Sequence, residues 1–343
     1  MASHEPPLRG AVLGLGMMGR HHARILQSNP AMRFAGAVDP GGDRFRAVGE
    51  AARVFATVDA LLAAPDGPPD FAVVAVPTEE HLPAVRALAG AGVHVLVEKP
   101  LAATAEEARE LIDVVRAAGV HGAVGHVERC NPALRALRAK LGELGDIFLV
   151  ATERVGPFPD RVRDVGVVKD LATHDLDLVR WLGAAPIQRL AAETQHRMKR
   201  DHEDLVLVTG RLENERAFNC MVDWLTPTKV RRTRVLGEGG MLVADTLRAD
   251  LSFYKNADVP TQGWPAMQAL RGVAEGDMVR FALERHEPLA VELEEFCALL
   301  RGEDGAAVVS LEEGLETVAV AEAVLASAAA GETVALGAGS PTP

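Results

Sequence analysis

The chain has 343 residues, 48% of them hydrophobic and 24% charged, and carries a formal net charge of −12. That length points to two domains, and the composition is that of an ordinary globular protein. The negative charge argues against general nucleic-acid binding, although a local arginine cluster can still hold an anionic substrate. No stretch is long and apolar enough to span a bilayer, and the start, Met1 to Pro7, lacks the layout of a secretory leader. The three cysteines, Cys130, Cys220 and Cys297, form neither a zinc pattern nor a disulfide framework, so a reducing, cytoplasmic setting is expected.

The first third alternates short apolar runs with helical patterns. Strands are predicted at Ala11–Leu15, Phe34–Val38, Phe71–Val76, Val93–Val97 and Val120–Val124. Helices are predicted between them at Met17–Gln27, Asp43–Ala52, Thr57–Ala63, Glu79–Ala91 and Ala105–Ala118. Such alternation implies an α/β domain with a doubly wound parallel sheet, here residues 1–125. Gly14, Gly16 and Gly19 form a G-x-G-x-x-G between the first strand and helix, and Asp39 follows Gly19 by 20 residues at the end of the second strand. The three glycines permit a tight turn, a close approach to a pyrophosphate and close helix–strand packing. The helix N-terminus around Met17 and Met18 offers N–H groups to a diphosphate, and Asp39 can accept from both ribose hydroxyls while repelling a 2′-phosphate. The expected cofactor is therefore NAD.

Ligands of such sheets bind beyond the carboxyl ends of the strands. Two segments there carry chemistry: Pro77, Thr78 and His81 after the strand Phe71–Val76, and Glu98-Lys99-Pro100 after Val97. His81 is equally open to a capping or packing role, and a Glu–Lys pair alone can be a solvated strand end. The adjacent His21 and His22 point in different directions from the first helix and read as surface or packing residues. No metal-binding cluster is evident.

After Gly125 the pattern changes to a second α/β domain, residues 126–336, followed by a disordered tail, 337–343. It opens with a helix near Asn131–Leu141 and a strand near Ile147–Arg154, then a loop and a helix near Val168–Leu182. Extended segments follow at Leu190–His196, Leu205–Leu212, Ala217–Trp224, Val230–Leu236, Gly240–Asp245 and Ala249–Tyr254, and helices near Val291–Leu300 and Leu311–Ala329 close the chain. This is the layout of an open, mostly antiparallel sheet, one face of which a partner subunit can cover, so a homodimer or homotetramer is expected. Asp170 and His174 lie four apart, so on a helix they share one face and the carboxylate can orient the imidazole. Alone, His174 is equally a packed or capping residue. Asp175 and Asp177 are expected to face solvent or to stabilise local structure.

The G-x-G-x-x-G, Glu98-Lys99-Pro100 and the segment from Gly166 through Asp170 to His174 together resemble the Gfo/Idh/MocA family of sugar and inositol oxidoreductases, in order and spacing over nearly the whole chain. Val165 stands where the family often has a glycine. The resemblance implies an N-terminal Rossmann domain and a C-terminal domain with an open sheet. It also implies a catalytic group of Lys99, Asp170 and His174, with His174 the principal acid/base, Glu98 near the nicotinamide, and Pro77, Thr78 and His81 lining the cofactor. A narrower likeness, carried by the segments 125–132, 154–166 and 170–177, is to a nucleotide-sugar branch that includes UDP-N-acetylglucosamine 3-dehydrogenases; Cys130 replaces a residue that is usually aromatic there. Arg129, Arg154, Arg161, Arg163 and Lys169 are the candidate diphosphate ligands, unless they form salt bridges with nearby acids. Asn131 binds a sugar hydroxyl or caps the helix after it. The expectation is NAD-dependent oxidation of a ring hydroxyl, C3 of UDP-N-acetylglucosamine or a relative. Inositol, free-sugar or sugar-phosphate substrates, a reductase running in reverse and a non-catalytic NAD-binding regulator are the alternatives; retention of Lys99, Asp170 and His174 disfavours the last.

Overall fold

The computed structural model describes residues 6–49, 53–159, 165–198, 201–256, 275–303 and 305–336. The chain divides into two compact units, Met1–Val127 with Glu287–Ala319, and Glu128–His286 with Val320–Pro343. The first unit begins with β1 (Leu8–Leu13), α1 (Gly19–Ser28), β2 (Met32–Val38), β3 (Val54–Phe55), α2 (Val58–Leu62), β4 (Phe71–Val74), α3 (His81–Gly90), β5 (His94–Glu98), α4 (Ala105–Ala118) and β6 (Gly122–Gly125). The second holds α5 (Pro132–Ala139), β7 (Ile147–Pro157), a π-helical turn (Val168–Ala172), α6 (Thr173–Gly183), β8 (Ile187–Gln195), β9 (Leu205–Leu212), β10 (Ala217–Asp223), β11 (Leu225–Gly237), β12 (Gly240–Asp245), β13 (Asp250–Asn256) and β14 (Glu275–Phe281). The chain ends with α7 (Pro288–Leu300), β15 (Val309–Ser310), α8 (Leu311–Ala330) and β16 (Val334–Ala335).

In the first unit the sheet runs β15-β6-β5-β4-β1-β2-β3. All its pairs are parallel except β15 with β6. The order of β3 to β6 is that of a Rossmann fold, with its reversal between β1 and β4. Every residue of β4 is buried, as expected of a parallel strand covered on both faces. Thr57 and Thr104 cap α2 and α4 by accepting the amide hydrogens of Ala60 and Glu107, each at 3.2 Å. Gly119 ends α4 at φ 66°, a left-handed conformation that glycine adopts without strain.

Two sequence expectations differ from the structure here. Residues 43–49 of the expected helix Asp43–Ala52 form a loop, and 50–52 lie outside the described residues. The Asp43 carboxylate accepts the amide hydrogens of Ala47 and Val48 at 2.8 and 2.9 Å, so it bonds a turn instead of starting a helix. The boundary at 125/126 is also not a single cut, because the chain returns to the first unit at Glu287. The face of the sheet that carries α1 needs further cover. Leu289, Leu293, Phe296 and Cys297 of α7 supply it, packed with Ile25, Leu26, Phe71 and Val73. The opposite face is covered by α2, α3, α4 and the start of α8, through residues such as Leu61, Leu88, Leu111 and Val318.

The sheet of the second unit runs β14-β13-β12-β11-β7-β10-β9-β8-β16. It is antiparallel apart from the pairing of β10 with β7. One face packs on α5, α6 and the end of α8, through Leu134, Leu137, Leu176, Val179 and Val324. The other face is open: Leu207, Met221, Leu236, Tyr254 and Met278 are exposed on it. Strand β14 was not expected, and residues 276–280 are exposed in both alternating sets, so no apolar period marks it. The tail 337–343 lies outside the described residues.

Phe296 is fully buried, with its ring edge-on to Phe71 at 5.7 Å between centroids. Phe296→Ala is expected to destabilise the first unit by about 3–5 kcal/mol. Urea unfolding monitored by circular dichroism checks this; a loss below about 1 kcal/mol would show that α7 adds little to that core.

Candidate active site

The three glycines of the first turn do three separate things. Gly14 takes φ +83° and donates its N–H to Val38 O at 2.7 Å; a Cβ on it would sit 2.6 Å from Ala75 O. Gly19 begins α1, and a Cβ there would lie 1.7 Å from Gly14 O. Around the Cβ position of Gly16 nothing lies within 4 Å. The turn is thus closed at both ends and open in the middle, as a backbone that approaches a diphosphate must be. Met18 occupies the N-cap of α1 and makes no side-chain capping bond, while the N–H groups of Arg20, His21 and His22 are bonded to Gly16 O and Met18 O at 2.9–3.3 Å. Met17 is half-exposed beside them, its sulfur 3.0 Å from Arg20 Nη2.

Asp39 follows β2. Its Oδ2 accepts the Leu15 N–H at 2.9 Å and its Oδ1 accepts that of Gly41 at 2.8 Å. The carboxylate therefore fixes the glycine turn against the β2 loop, and each oxygen keeps a second lone pair for a ribose hydroxyl. These residues fit NAD: an open backbone cradle, an uncapped helix end and an acid at the end of β2.

Beyond β4, Pro77 is exposed and Thr78 half-buried at the head of a short turn, Thr78–Glu80, that runs into α3. The His81 ring is packed, one of the roles left open for it. It is only 1% exposed, with Nδ1 3.1 Å from Leu101 O and Nε2 3.2 Å from Val76 O. The ring joins the loop after β4 to the loop after β5, and burial lowers its pKa despite those carbonyls. Lys99 is half-buried and precedes a cis peptide to Pro100. Glu98 is buried and faces His22 Nε2 at 2.9 Å, so His22 is a core residue bonded to the Glu-Lys-Pro turn. The signal was its phase: Gly19, His22, Ala23 and Leu26 fall on one buried stripe of α1.

In the second unit, Asp170 lies on the π-helical turn and His174 on the first turn of α6, both half-buried. Lys169 is half-buried beside Asp170. Glu203 shapes the entry to this segment. Its Oε1 accepts the Val168 N–H at 3.0 Å, and its carboxyl fills the space where a Cβ on Gly166 would lie, 2.0 Å away. A Cβ at 166 would oblige the Glu203 carboxyl to move from this position.

Two of the candidate diphosphate ligands, Arg129 and Arg154, take the alternative left open for them, salt bridges with acids. Arg129 donates to both oxygens of Asp177, from Nε at 2.8 Å and from Nη2 at 2.5 Å. Arg154 donates from Nε to Asp175 Oδ2 at 2.6 Å and from Nη1 to Glu128 Oε1 at 2.8 Å. Both arginines are buried, as are Asp175 and Asp177, which do not face solvent. Burial works against the Arg154 guanidinium, but Asp175 and Glu128 outweigh it and raise its pKa. These two arginines tie α6 to β7 and to the turn that carries Glu128 and Arg129. Asn131 caps α5 by accepting the Ala133 N–H at 3.0 Å, and its amide donates to Thr246 O at 3.2 Å. Arg161 and Arg163 lie outside the described residues. Among the described residues there is no cluster of three or more His, Cys, Asp or Glu fit to hold a metal ion.

Arg129→Ala leaves Asp177 as a buried carboxylate without its bidentate partner. It is expected to cost about 3–5 kcal/mol in urea unfolding. A variant within about 0.5 kcal/mol of wild type would show that the pair does not hold α6.

Comparison with known proteins agrees with this architecture. Residues 8–126 match the family model described as an oxidoreductase family with an NAD-binding Rossmann fold, and residues 134–243 match the GFO/IDH/MocA C-terminal domain. The UDP-N-acetylglucosamine 3-dehydrogenase of Acidithiobacillus ferrooxidans is 30% identical over 84% of this chain and 87% of its own. An inositol 2-dehydrogenase of Rhizobium meliloti is 26% identical over 94% of this chain and 97% of its own. A solved structure of the Acidithiobacillus enzyme superposes with a TM-score of 0.81 at 28% identity, covering 95% of this chain and 99% of that one. The chain belongs to the Gfo/Idh/MocA family and is an NAD-dependent oxidoreductase of the sugar and inositol type.

Proposed function

We propose that the chain oxidises a secondary ring hydroxyl of a nucleotide sugar, C3 of UDP-N-acetylglucosamine or a close relative, to the ketone. The observation that carries this is the likeness to the Acidithiobacillus 3-dehydrogenase, which runs through both units. NAD, held by the glycine turn and Asp39, would supply the hydride acceptor for the carbon that is oxidised. The chain's own residues handle the proton and the charge. His174 takes the hydroxyl proton on its imidazole, with Asp170, one turn before it, setting the orientation of the ring. The Lys99 ammonium stabilises the negative charge that develops on the alkoxide oxygen. In the reverse direction the same residues return the proton.

A second reading is favoured by a specific observation. Arg129 and Arg154 are committed to buried carboxylates, which leaves fewer cations for a diphosphate than the sequence suggested. A neutral polyol such as an inositol needs none, and an inositol 2-dehydrogenase is similar over almost the full chain. We further propose that a second copy of this chain covers the open sheet face. Leu207 pairs across strands with Met221, and Tyr254 with Met278, so their exposed side chains share that face. An apolar sheet surface of this kind marks an interface.

The deciding assay supplies NAD with UDP-N-acetylglucosamine or with myo-inositol and follows NADH at 340 nm, a wavelength at which only the reduced cofactor absorbs. Turnover of the nucleotide sugar with a 3-keto product by NMR supports the first reading, and turnover of inositol alone replaces it with the second. Lys99→Ala and His174→Asn should each lower kcat by about 10²–10⁴ while NADH still binds. Wild-type kcat in either variant would remove that residue from the mechanism. Met221→Asp should shift sedimentation toward the monomer; an unchanged sedimentation coefficient would count against the sheet face as the interface.

A further inference from the structure

Helix α1 carries His22 one turn beyond Gly19, on the face that packs against the parallel sheet. Its ring is fully buried, and Nε2 lies 2.9 Å from Glu98 Oε1. The second oxygen of that carboxylate accepts the main-chain N–H of Lys99 at 3.2 Å. One carboxylate thus receives a hydrogen bond from α1 on one oxygen and from the Lys99 peptide on the other. Nothing in the mechanism above uses His22, yet it is a buried polar side chain two links from the proposed catalytic ammonium.

A second carboxyl lies in the same interior. Glu292 of α7 is 5% exposed. Burial, and then the charge of Glu98, push its pKa well above the usual carboxylate range, which favours its protonated form. Glu98 moves the other way. Burial opposes its charge, but the hydrogen bond and charge of His22, followed by Lys99, hold its pKa below the ordinary value. Of two buried carboxyls, the one that meets the imidazole is therefore the one kept as an anion. A pair meant only for stability could be replaced by apolar side chains at little cost. Here the anion is bonded at both oxygens, and one bond reaches the peptide that bears Lys99.

We propose that His22 is a positioning residue, which acts through the Glu98 carboxylate to tie the helix of the dinucleotide turn to the Lys99 peptide and so to fix where the ammonium stands. The proposal rests on the reading of Lys99 as a catalytic group, and its role is separable from that reading by experiment.

The test uses the full-length protein and its variants His22→Phe, His22→Gln, Glu98→Gln and the double variant His22→Phe/Glu98→Gln. Phenylalanine fills the space without a donor, whereas glutamine offers an amide N–H. Lysines are reductively methylated with carbon-13 formaldehyde, and the Lys99 signal is identified by its loss in Lys99→Arg. In His22→Phe that signal should move, and in His22→Gln it should return toward the wild-type position. An unmoved signal in His22→Phe overturns the proposal whatever the kinetics show. With the sugar turned over in the assay above, His22→Phe should lower kcat by about 10- to 100-fold, the scale expected of a misplaced catalytic group, while the NADH dissociation constant from fluorescence titration stays within about threefold. The double variant should be no slower than the slower single one, because both remove the same link. Additive losses, or a fall in kcat that glutamine does not relieve, would assign His22 a general structural role and sink the proposal. Wild-type kcat in Lys99→Ala would instead refute the catalytic reading of Lys99, with the tether still judged by the shift of its methyl signal.

Discussion

Gly19 and Gly14 approach each other so closely that a single added carbon would overlap the Gly14 carbonyl oxygen. With no side chain between them, the first turn of α1 sits directly on the turn that leaves β1. That contact sets the depth of the helix. The next inward-facing positions, His22, Ala23 and Leu26, are then carried into the sheet, and all three are buried. Ala23 and Leu26 need only apolar neighbours, whereas an imidazole needs a hydrogen-bond partner. Glu98, at the end of β5, supplies it. A packing constraint at the dinucleotide turn is thus converted into a polar link at the neighbouring strand end. The motif's third glycine is commonly credited with helix–strand packing. In this chain it also determines which atoms of the Glu-Lys-Pro turn the helix can reach.

The second unit uses charge in a comparable way. Glu128, Asp175 and Asp177 are matched by Arg154 and Arg129 inside the unit. Burial pushes the Asp175 carboxyl up against the pull of Arg154, so desolvation takes back much of what the pair gains. Stability alone is a poor account of such an arrangement. Orientation is a better one: Arg154 comes from β7, and the two aspartates lie on α6 on either side of Leu176, one and three residues after His174. Pairing each aspartate with a different arginine fixes the rotation of the helix about its axis. The face that carries His174 is fixed along with it, because residues of one helical turn cannot rotate independently.

The parts of this molecule that were legible in the sequence are those where a local rule and the tertiary structure agree. The glycine turn, Asp39, the capped helix α4 and strands β9 and β12 are local in this sense, and the latter two match their expected bounds. The helix expected at Asp43–Ala52 failed because the Asp43 side chain bonds nearby amides, a competition that periodicity does not register. The return of α7 to the first unit is a long-range event, decided by an uncovered sheet face 160 residues or more before it in the chain. The arginines left two readings open for a related reason. Their place in segments that resemble a nucleotide-sugar branch suggested diphosphate ligands, with salt bridges as the alternative, and Arg129 and Arg154 lie opposite acids whose local structural role was one of the two left open. When the partners of a charge come from other elements, sequence order does not reveal whether it is paired. His22 is the reverse case: its buried phase on α1 was readable, while its partner 76 residues away was not.

The segment from Gly166 to His174 joins these themes. A π-helical turn has hydrogen bonds of poorer geometry than an α-helix and often marks a functional position. Here it is held from outside by Glu203, whose carboxylate accepts the Val168 N–H and whose carbonyl accepts the Val167 N–H, each at 3.0 Å. The carboxyl can come this near only because residue 166 has no Cβ. The same glycine O accepts the Asp170 N–H at 3.1 Å, so one residue is clamped from both directions at the start of the turn. A wider turn spaces Lys169 and Asp170 differently around the axis than α-helical geometry would, while α6 keeps His174 in register with the buried ion pairs. Rigid support on the inner side and an irregular turn on the outer side are separate requirements, and glycine 166 with Glu203 meets the second without disturbing the first.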